Sequence, residues 1–233
     1  LDEARRNEHP LLERVKFIGI VCSNLDEFFQ KRVGGLKRQM GAGVNRPSID
    51  GLTPAQQLVA IRDTVRDMIQ QYRSCFFDQL LPLLEKQGIL FKTYAGLSKK
   101  ERKKAREYFQ TQLYPIMTAL AVDQAHPFPF ISNKSRSFAV EIEDPKTGEQ
   151  VVARIKVPSN RPRCLEVSEG KKEATFINID EIIREHVGDL FPGAAVRSAH
   201  IFRVTRNADL QRNEEEADDL LEMIEDELRE RRF

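Results

Sequence analysis

Apolar residues near the start of the chain recur at the spacing of an α-helix. The first stripe, which would lie on one helical face, comprises Leu11, Leu12, Val15, Ile18 and Val21. Pro10 precedes this stripe and suits a first helical position. A second helix is predicted to begin at Ser23 or Asn24, because Asn24 with Glu27 three residues later has the pattern of a capping box.

A third and longer helix is predicted from residue 53 onward. Thr53 and Pro54 provide an N-cap and a first-turn proline, and Gln56 completes a capping box. The predicted inward face of this helix comprises Leu58, Ile61, Val65, Met68, Tyr72, Phe76 and Leu80. We expect Pro82 to kink the last turn and Gly88 to end the helix.

The hydrophobic pattern changes after a fourth helix. Ser98 and Glu101 open that helix with a capping box of its own, and it is predicted to run to about Leu113. Two later segments alternate between apolar and polar residues, with Phe138, Val140 and Ile142 in one and Val151, Ala153, Ile155 and Val157 in the other. The turn-forming residues 144–148 between them predict a β-hairpin.

The rest of the chain mixes strands and helices. We predict a strand at 175–177, a helix at 180–190, a strand at 196–205 and an acidic helix at 214–232. Helices followed by mixed elements indicate an all-α domain and then an α+β domain. The predicted fold is therefore a helical, bundle-like N-terminal domain at 1–95 and an α+β domain with a β-hairpin at 96–233.

The composition limits the class of protein. The chain has 233 residues, of which 40% are hydrophobic and 31% are charged, so it can bury a core beneath a very polar surface. With 37 basic and 36 acidic residues, the net charge is +1. This balance excludes an overall electrostatic attraction to nucleic acid, and no nucleic-acid partner is expected, although local basic patches remain open.

Cysteine spacing and hydropathy indicate where the protein resides. Cys22, Cys75 and Cys164 are far apart and form no CxxC pair, which favours a reducing compartment and a cytoplasmic location. No apolar run approaches the length of a membrane helix and no signal peptide is present, so no membrane span is expected. The chain begins with Leu1 rather than Met, and we expect it to be a piece of a longer protein.

Asn24, Asp26 and Glu27 form the most informative polar stretch, because they lie between two segments that both look half-buried. Two interpretations are open. In the first, Asn24 caps a helix and the acidic residues interact favourably with the helix dipole. In the second, the Asn24 amide, which both donates and accepts hydrogen bonds, binds a ligand such as a nucleobase.

The histidines do not form a catalytic or metal-binding pattern. His9, His126, His186 and His200 show neither metal-ligand spacing nor proximity to a nucleophile signature, so structural or surface roles are expected. No glycine-rich phosphate loop, Walker lysine, GxSxG motif or zinc signature occurs. The sequence therefore predicts no catalytic and no metal-binding residue within this chain.

Two basic clusters could bind anions. Residues 99–106 are mostly Lys and Arg, which we interpret as a solvated helix face, with polyanion binding as the alternative. A second set, on or near the hairpin, comprises Lys134, Arg136, Arg154 and Lys156. Arg154 and Lys156 are two residues apart and should share one strand face, where they could contact phosphates.

Several blocks along the chain, in the same order, resemble the bacterial polyphosphate kinases of the first class. They are HPLLERVKF (9–17), SNLDEFF (23–29), LAVD (120–123), HPFPFISN (126–133), FPG (191–193) and SAHIFRVTRNAD (198–209), followed by the acidic helix. The resemblance extends over essentially the whole chain.

The resemblance implies an enzyme that reversibly transfers the terminal phosphate of ATP to polyphosphate through a phosphohistidine, with Mg²⁺. It implies a helical N-terminal domain and a head domain, here 96–233 and truncated at its C-terminal end, that forms a homodimer. By resemblance, Asn24 contacts the adenine end of ATP or ADP. The phosphohistidine and the Mg²⁺ ligands are expected beyond Phe233, so the chain alone is expected to be inactive.

Two alternatives remain open for the chain by itself. The first is a non-catalytic homodimerisation module, with Phe128 and Phe130 in the contact surface. The second is a polyanion-binding module that uses the basic helix at 99–106.

Overall fold

The structure is a computed structural model, and it describes residues 1–122, 131–168 and 173–207. Contacts between Cα atoms divide the chain into two compact units. The first unit contains Leu1–Lys86 together with the chain from Thr205, and the second contains Gln87–Val204. No helix in the described ranges is both long and apolar enough to cross a membrane.

The first unit is helical. Its α-helices are α1 (Asp2–Arg5), α2 (Leu11–Phe28), α3 (Gly34–Gly41), α4 (Pro54–Ser74) and α5 (Leu81–Lys86). Two π-helical segments, Phe29–Val33 and Cys75–Leu80, join α2 to α3 and α4 to α5 without a break. The connected buried cluster of this unit comprises Ala4, Ile18, Cys75 and Leu80.

The predicted helix start at Ser23 or Asn24 is wrong. Helix α2 continues through both residues to Phe28, and its backbone hydrogen bonds leave no cap to fill at Asn24. A capping box needs a preceding residue outside the helix, whereas the apolar stripe before Ser23 contains no residue that interrupts the helix. The N-terminus of α2 lies at Leu11, with Pro10 as its N-cap.

The capping box predicted at Thr53 is confirmed. The Thr53 hydroxyl accepts a hydrogen bond from the Gln56 N–H, and the Gln56 side chain accepts one from the Thr53 N–H. Helical hydrogen bonding widens at Cys75–Leu80, the turn directly before Pro82, where a proline removes a backbone donor and crowds the carbonyl group four residues earlier. The kink expected at Pro82 stays a prediction. Gly88 follows α5 with a φ of 77°, as its predicted role in ending the helix requires.

The second unit mixes strands and helices. In chain order these are β1 (Ile89–Phe91), α6 (Lys99–Tyr108), β2 (Ala119–Val122), β3 (Arg136–Glu143), β4 (Gln150–Lys156), β5 (Cys164–Glu166), β6 (Ala174–Asn178), α7 (Ile179–His186) and β7 (Ala195–Arg203). A π-helical segment, Phe109–Leu113, extends α6, which ends where the sequence predicts. The Ser98–Glu101 capping box is confirmed.

Two sheets organise the second unit. One has the order β2-β4-β3-β7 with antiparallel pairs, and β3 and β4 form the predicted hairpin. The other has the order β1-β6-β5, with β1 parallel to β6. Strand β1 is absent from the predictions, because its three residues are too few for an alternating pattern.

A continuous core lies beneath the four-stranded sheet. Phe138, Val140 and Ile155 are fully buried, in agreement with the predicted alternation, and they pack with α7 residues Ile182 and Ile183. Successive strand residues alternate between the two faces of a sheet. The residues of β3 and β4 that do not face this core therefore lie on the opposite, outer face, where they can line clefts. The fold class is confirmed: a helical N-terminal region precedes an α+β region.

The two compact units do not coincide with the division predicted at 95/96. The chain enters the second unit at Gln87 because β1 pairs with β6, and it leaves after Val204. Compactness does not by itself define an independently folding domain, so the division at 1–95 and 96–233 stays a prediction. The predicted acidic helix at 214–232 and the residues His126, Phe128 and Phe130 lie outside the described residues.

Candidate functional site

Asn24 lies on the exposed face of α2. Its side chain is solvent-accessible and makes no hydrogen bond to any described residue, and Ser23 and Glu27 beside it are exposed as well. Asp26 is half-buried. Because Asn24 is inside a helix, the capping interpretation is wrong for this residue. The amide is therefore available for an external donor and acceptor.

A basic cleft of about 320 Å³ lies further along the same helical run. Its cationic residues are Lys37 and Arg38 on α3 and Arg206 from the returning chain, while Phe29 and Val33 form an apolar wall. Sequence reasoning did not find this cleft, since two of its walls are far apart along the chain.

Gly34 allows the returning chain to approach α3 closely. A Cβ atom at Gly34 would lie 2.5 Å from the Asn207 Oδ1 atom and 2.7 Å from its Cγ atom, which is closer than atoms pack. Glycine inside a helix is unfavourable by about 1 kcal/mol relative to alanine. The Gly34-Gly35 pair within a helical stretch was the signal in the sequence that a neighbour lies against it.

Arg154 and Lys156 share one face of β4, as their spacing predicts. Ala153 and Ile155 point the other way into the core, while Arg154 is opposite Leu120 of β2 and Ala139 of β3. Arg154, Lys156 and Leu120 line a cleft of about 470 Å³ that we call the β4 cleft. The remaining lining residues are Ile116, Thr118, Val157, Pro158, Ser159 and Asn160.

Arg154 is buried without a carboxylate partner. Only 7% of the residue is exposed, and its Nε donates a hydrogen bond to the Ser137 Oγ atom at 3.2 Å. No acidic group in ranges 1–122, 131–168 and 173–207 forms an ion pair with it. Burial, uncompensated by a counter-charge, lowers the pKa of Arg154. The Arg154 guanidinium lines the β4 cleft, and its remaining N–H groups can donate hydrogen bonds to a ligand there.

A second basic cleft adjoins the β4 cleft. This cleft, of about 150 Å³, is lined by Lys134, Arg136, Arg161 and Arg163, and we call it the arginine cleft. The two clefts share Val157, Pro158 and Ser159 as a common wall. The four basic residues predicted on or near the hairpin all line one or the other of these two clefts. Arg161 and Arg163 also line the arginine cleft, and sequence reasoning did not single them out.

Arg136 is the cation of this group with an acidic partner. Its Nη1 atom donates to the Asp180 Oδ2 atom at the start of α7. Burial raises the pKa of Asp180, and Arg136 opposes this rise. The other carboxylate oxygen of Asp180 is buried and has no hydrogen-bond partner within the part of the chain that the structure describes.

The described histidines occupy structural or surface positions, as predicted. His186 makes a 3.0 Å hydrogen bond with the Tyr94 hydroxyl and packs against Phe109, and burial lowers its pKa. His9 contacts Glu3 at 2.7 Å, and His200 is exposed on β7. Within the described ranges, no group of three or more His, Cys, Asp or Glu residues could hold a metal ion.

The basic run at 99–106 forms one side of α6. Glu101 and Ala105 are buried, whereas the Lys and Arg side chains between and around them are exposed. This arrangement fits the predicted solvated face, and the Lys and Arg residues of α6 line neither of the two clefts of the hairpin region.

Comparison with known proteins identifies the family. A model of the polyphosphate kinase N-terminal domain matches residues 1–92, and a model of the polyphosphate kinase middle domain matches residues 100–233. Polyphosphate kinase 1 of Chlorobaculum tepidum is 43% identical over 240 aligned positions, and that match covers 100% of this chain and 34% of the relative. Polyphosphate kinase of Synechocystis is 42% identical, with 100% of this chain and 33% of the relative covered.

A solved structure agrees with these sequence matches. The crystal structure of polyphosphate kinase from Porphyromonas gingivalis superimposes with a TM-score of 0.77 at 26% identity, over 95% of this chain and 34% of that one. The chain thus spans about a third of the length of the relatives that it matches. It belongs to the polyphosphate kinase family and carries the N-terminal and middle domains of that family.

Proposed function

We propose that this chain is part of an enzyme that reversibly transfers the terminal phosphate of ATP to polyphosphate through a phosphohistidine. The observation that carries the proposal is the match of two different polyphosphate kinase domains, in order, to residues 1–92 and 100–233. Phosphoryl transfer depends mainly on positioning and charge neutralisation, so a domain can contribute without supplying the nucleophile. Cys22, Cys75 and Cys164 carry thiols rather than disulfides, which supports a cytoplasmic location for the parent protein.

The proposal assigns the phosphohistidine and Mg²⁺ to segments that the relatives have beyond the matched third. The described residues do not fit a Mg²⁺ site, because they bring together no cluster of acidic ligands. The test compares ATP-dependent polyphosphate synthesis by the full-length enzyme and by the 233-residue chain. Synthesis by the full-length enzyme alone is expected, and turnover by the short chain would overturn the assignment of the nucleophile.

Asn24 is proposed to contact the adenine of the nucleotide. Three observations support this role: the side chain is exposed, it is not engaged by any described residue, and it lies on a regular helix that fixes its direction. A carboxamide matches the donor and acceptor edge of adenine and cannot match guanine in the same orientation. Removing it should therefore affect the choice of base as well as affinity.

Asn24→Ala in the full-length enzyme tests this role. We expect the KM for ATP to rise about tenfold, from the loss of one to two hydrogen bonds, and the preference for ATP over GTP to narrow. The melting temperature should stay constant or rise slightly, because alanine favours the helix interior. Ser23→Ala, at the exposed neighbour, is the control and should change neither quantity. A lower melting temperature with an unchanged KM would contradict the nucleotide role.

The middle domain is proposed to form a homodimer. Its support within the described residues is a stacked pair of rings on the three-stranded sheet, in which Phe91 of β1 is 42% exposed beside Phe176 of β6. Exposed apolar side chains that adjoin one another mark association surfaces more often than isolated ones do. Analytical ultracentrifugation over a concentration series tests the proposal, and a monomer at every concentration would remove it. Phe91→Glu should weaken the dimer, while Glu149→Ala on the exposed hairpin turn should leave it intact.

A further inference from the structure

The β4 cleft and the arginine cleft adjoin where β4 ends. Arg154 and Lys156 lie on the outer face of the sheet, whereas Arg136 lies on the opposite face beside Asp180. The clefts share Val157, Pro158 and Ser159, so a flexible polymer that passes around this end of the strand would meet the cations of both. The cations of the two clefts are Arg154, Lys156, Lys134, Arg136, Arg161 and Arg163. No described residue that lines either cleft is acidic. The local charge thus differs sharply from the near-neutral chain as a whole.

The buried guanidinium of Arg154 sets the β4 cleft apart from a solvated charge run. A buried charge is unfavourable unless it is paired or hydrogen-bonded, and Arg154 has only the neutral Ser137 hydroxyl among the described residues. An anion in the β4 cleft would supply the missing counter-charge. The hydroxyls of Thr118 and Ser159 line the same cleft and could donate to the same anion.

The lining chemistry distinguishes between kinds of polyanion. Proteins that hold single-stranded nucleic acid stack its bases on aromatic rings. Among the described residues, the lining of both clefts contains no Phe, Tyr, Trp or His. This described lining offers cations and hydroxyls to phosphoryl oxygens and no ring for a base to stack on, which suits a phosphate polymer without bases.

We propose that the β4 cleft and the arginine cleft form a binding track for linear polyphosphate in the middle domain. The identity of the polymer rests on the proposed function, whereas the binding of a base-free polyanion rests on the geometry of the two clefts. The track holds the chain by its phosphoryl oxygens and takes no part in forming or breaking bonds.

The experiment measures binding of a short linear polyphosphate of defined length to the 233-residue chain by calorimetry. The variant Lys156→Ala/Arg163→Ala removes one exposed cation from each cleft, so its fold should persist. The matched control, Lys103→Ala/Lys104→Ala, removes the same charge from the exposed face of α6. We expect the cleft variant to raise the Kd about tenfold or more and the control less than about twofold.

Salt dependence and competing ligands sharpen the test. Each lost phosphate contact should reduce the slope of log affinity against log salt by about 0.7, so the cleft variant should lose about twice that and the control should keep the wild-type slope. Inorganic phosphate should bind far more weakly than the polymer. An oligothymidylate with the same number of phosphates should bind more weakly than polyphosphate, since the track has no platform for its bases.

Several results would overturn the proposal. They are the absence of polyphosphate binding to the wild-type chain, equal losses in the cleft variant and the α6 control, or equal affinity for the oligothymidylate. A full-length enzyme that fails to make polyphosphate from ATP would refute the proposed function and leave this binding measurement standing. Arg154→Lys, which keeps the charge and loses the planar fork, adds a further readout and should weaken polyphosphate binding while preserving the salt slope.

Discussion

The two units of this chain solve the problem of burying apolar surface in different ways. Among the described residues, the first relies on long helices around a small connected cluster of Ala4, Ile18, Cys75 and Leu80. The second buries a much larger connected core, comprising Leu97, Ala105, Phe109, Leu113, Met117, Phe138, Val140, Ile155, Val157, Val167, Ile177, Ile179, Ile182, Ile183 and Val187. The larger core forms where strands that are distant in sequence pair with one another. The helices of the first unit need no such partner, because each helix makes its backbone hydrogen bonds within its own segment.

Exposed apolar residues occur in both units. Among the described residues, those of the first unit are Leu12, Ile20, Phe28, Met40, Val44, Ile49, Val59 and Phe77, and those of the second are Phe91, Tyr114, Ile116, Leu120, Val152 and Ile201. A unit with few long-range apolar contacts opens at lower free energy than one with a full core. Regular secondary structure is therefore not a measure of stability in this chain. We expect backbone amides of the second unit to exchange with solvent more slowly than those of the first unit.

The largest effect is expected from Phe138→Ala in the second unit. Phe138 is fully buried, and truncating it should lower the free energy of unfolding by about 3–5 kcal/mol. Urea titration with hydrogen exchange read separately for peptides of each unit measures the loss. Val152→Ala, at a residue 45% exposed on the same sheet, is the control and should have a small effect. A loss below about 1 kcal/mol for Phe138→Ala would contradict the assigned core.

Leu80→Ala tests the smaller cluster of the first unit. Leu80 is fully buried, and its truncation should cost about 2–3 kcal/mol, at the lower end of the range for leucine, because a small cluster can collapse around the void. The same exchange measurement should show the loss in peptides of the first unit. Val59→Ala, at a residue 51% exposed on α4, is the control. A cost equal to that of Phe138→Ala would remove the contrast between the units.

Gly34→Ala and Gly35→Ala should have opposite signs. A methyl group at Gly34 meets the Asn207 side chain, so the first variant should destabilise the first unit by about 1–3 kcal/mol. Nothing lies within 4 Å of the corresponding position at Gly35, where alanine should stabilise the helix by about 0.5–1 kcal/mol. Thermal denaturation of both variants measures the difference, and equal shifts would contradict the packing of residues 205–207 on α3.

The two capping boxes allow a matched comparison across the units. Thr53→Ala and Ser98→Ala each remove a hydroxyl that accepts from an N3 backbone N–H, and each should cost about 1 kcal/mol. Urea midpoints read within each unit should record the losses, and Thr53→Ser should restore most of the first. An unchanged urea midpoint in either alanine variant would contradict the helix start assigned in that unit.

The smallest effect is the pH dependence carried by Glu101. Burial works to raise the pKa of Glu101, but hydrogen bonds from the Ser98 N–H and from Lys92 outweigh it and hold the pKa below its ordinary value of 4.5. A carboxyl with a lowered folded-state pKa stabilises the fold above its unfolded pKa, and this stability is lost as the pH falls through the folded value. The second unit should therefore lose stability below about pH 4.5.

Glu101→Gln isolates this contribution. The variant should be less stable than wild type at pH 7, and the gap should narrow as the pH drops below 4.5, when urea midpoints of the second unit are compared. A gap that stays constant between pH 7 and pH 3 would exclude the ion pair with Lys92 as its source.

Local signals in the sequence predicted local structure well. The boxes at Thr53 and Ser98 are real because each follows a segment that cannot continue a helix, whereas the same pattern at Asn24 lies inside one. Alternation placed Arg154 and Lys156 on one strand face. Capping and alternation depend on neighbours within a few residues, so they can be predicted from a single sequence. A capping box, however, is predicted correctly only when the residues before it do not continue a helix.

Long-range features escaped prediction for a physical reason. The burial of Arg154, and the position of Arg161 and Arg163 in one cleft with Arg136, depend on how β3, β4 and the following loop pack, which spacing along the chain does not encode. Strand β1 exists because β6 offers it a partner from far along the chain. The exposure of Asn24 follows from the length of α2, so its availability emerged only with the structure.

The contact between Gly34 and Asn207 bears on how the protein is made. The first unit closes with residues from Thr205 onward, so its earliest helices leave the ribosome long before their last partner exists. At a synthesis rate of about 5–20 residues per second, this interval is on the order of ten seconds. During that wait the apolar side chains of Phe29 and Val33, which lie beside residues 205–207 in the folded unit, lack this neighbour, so we expect the nascent N-terminal segment to bind chaperones.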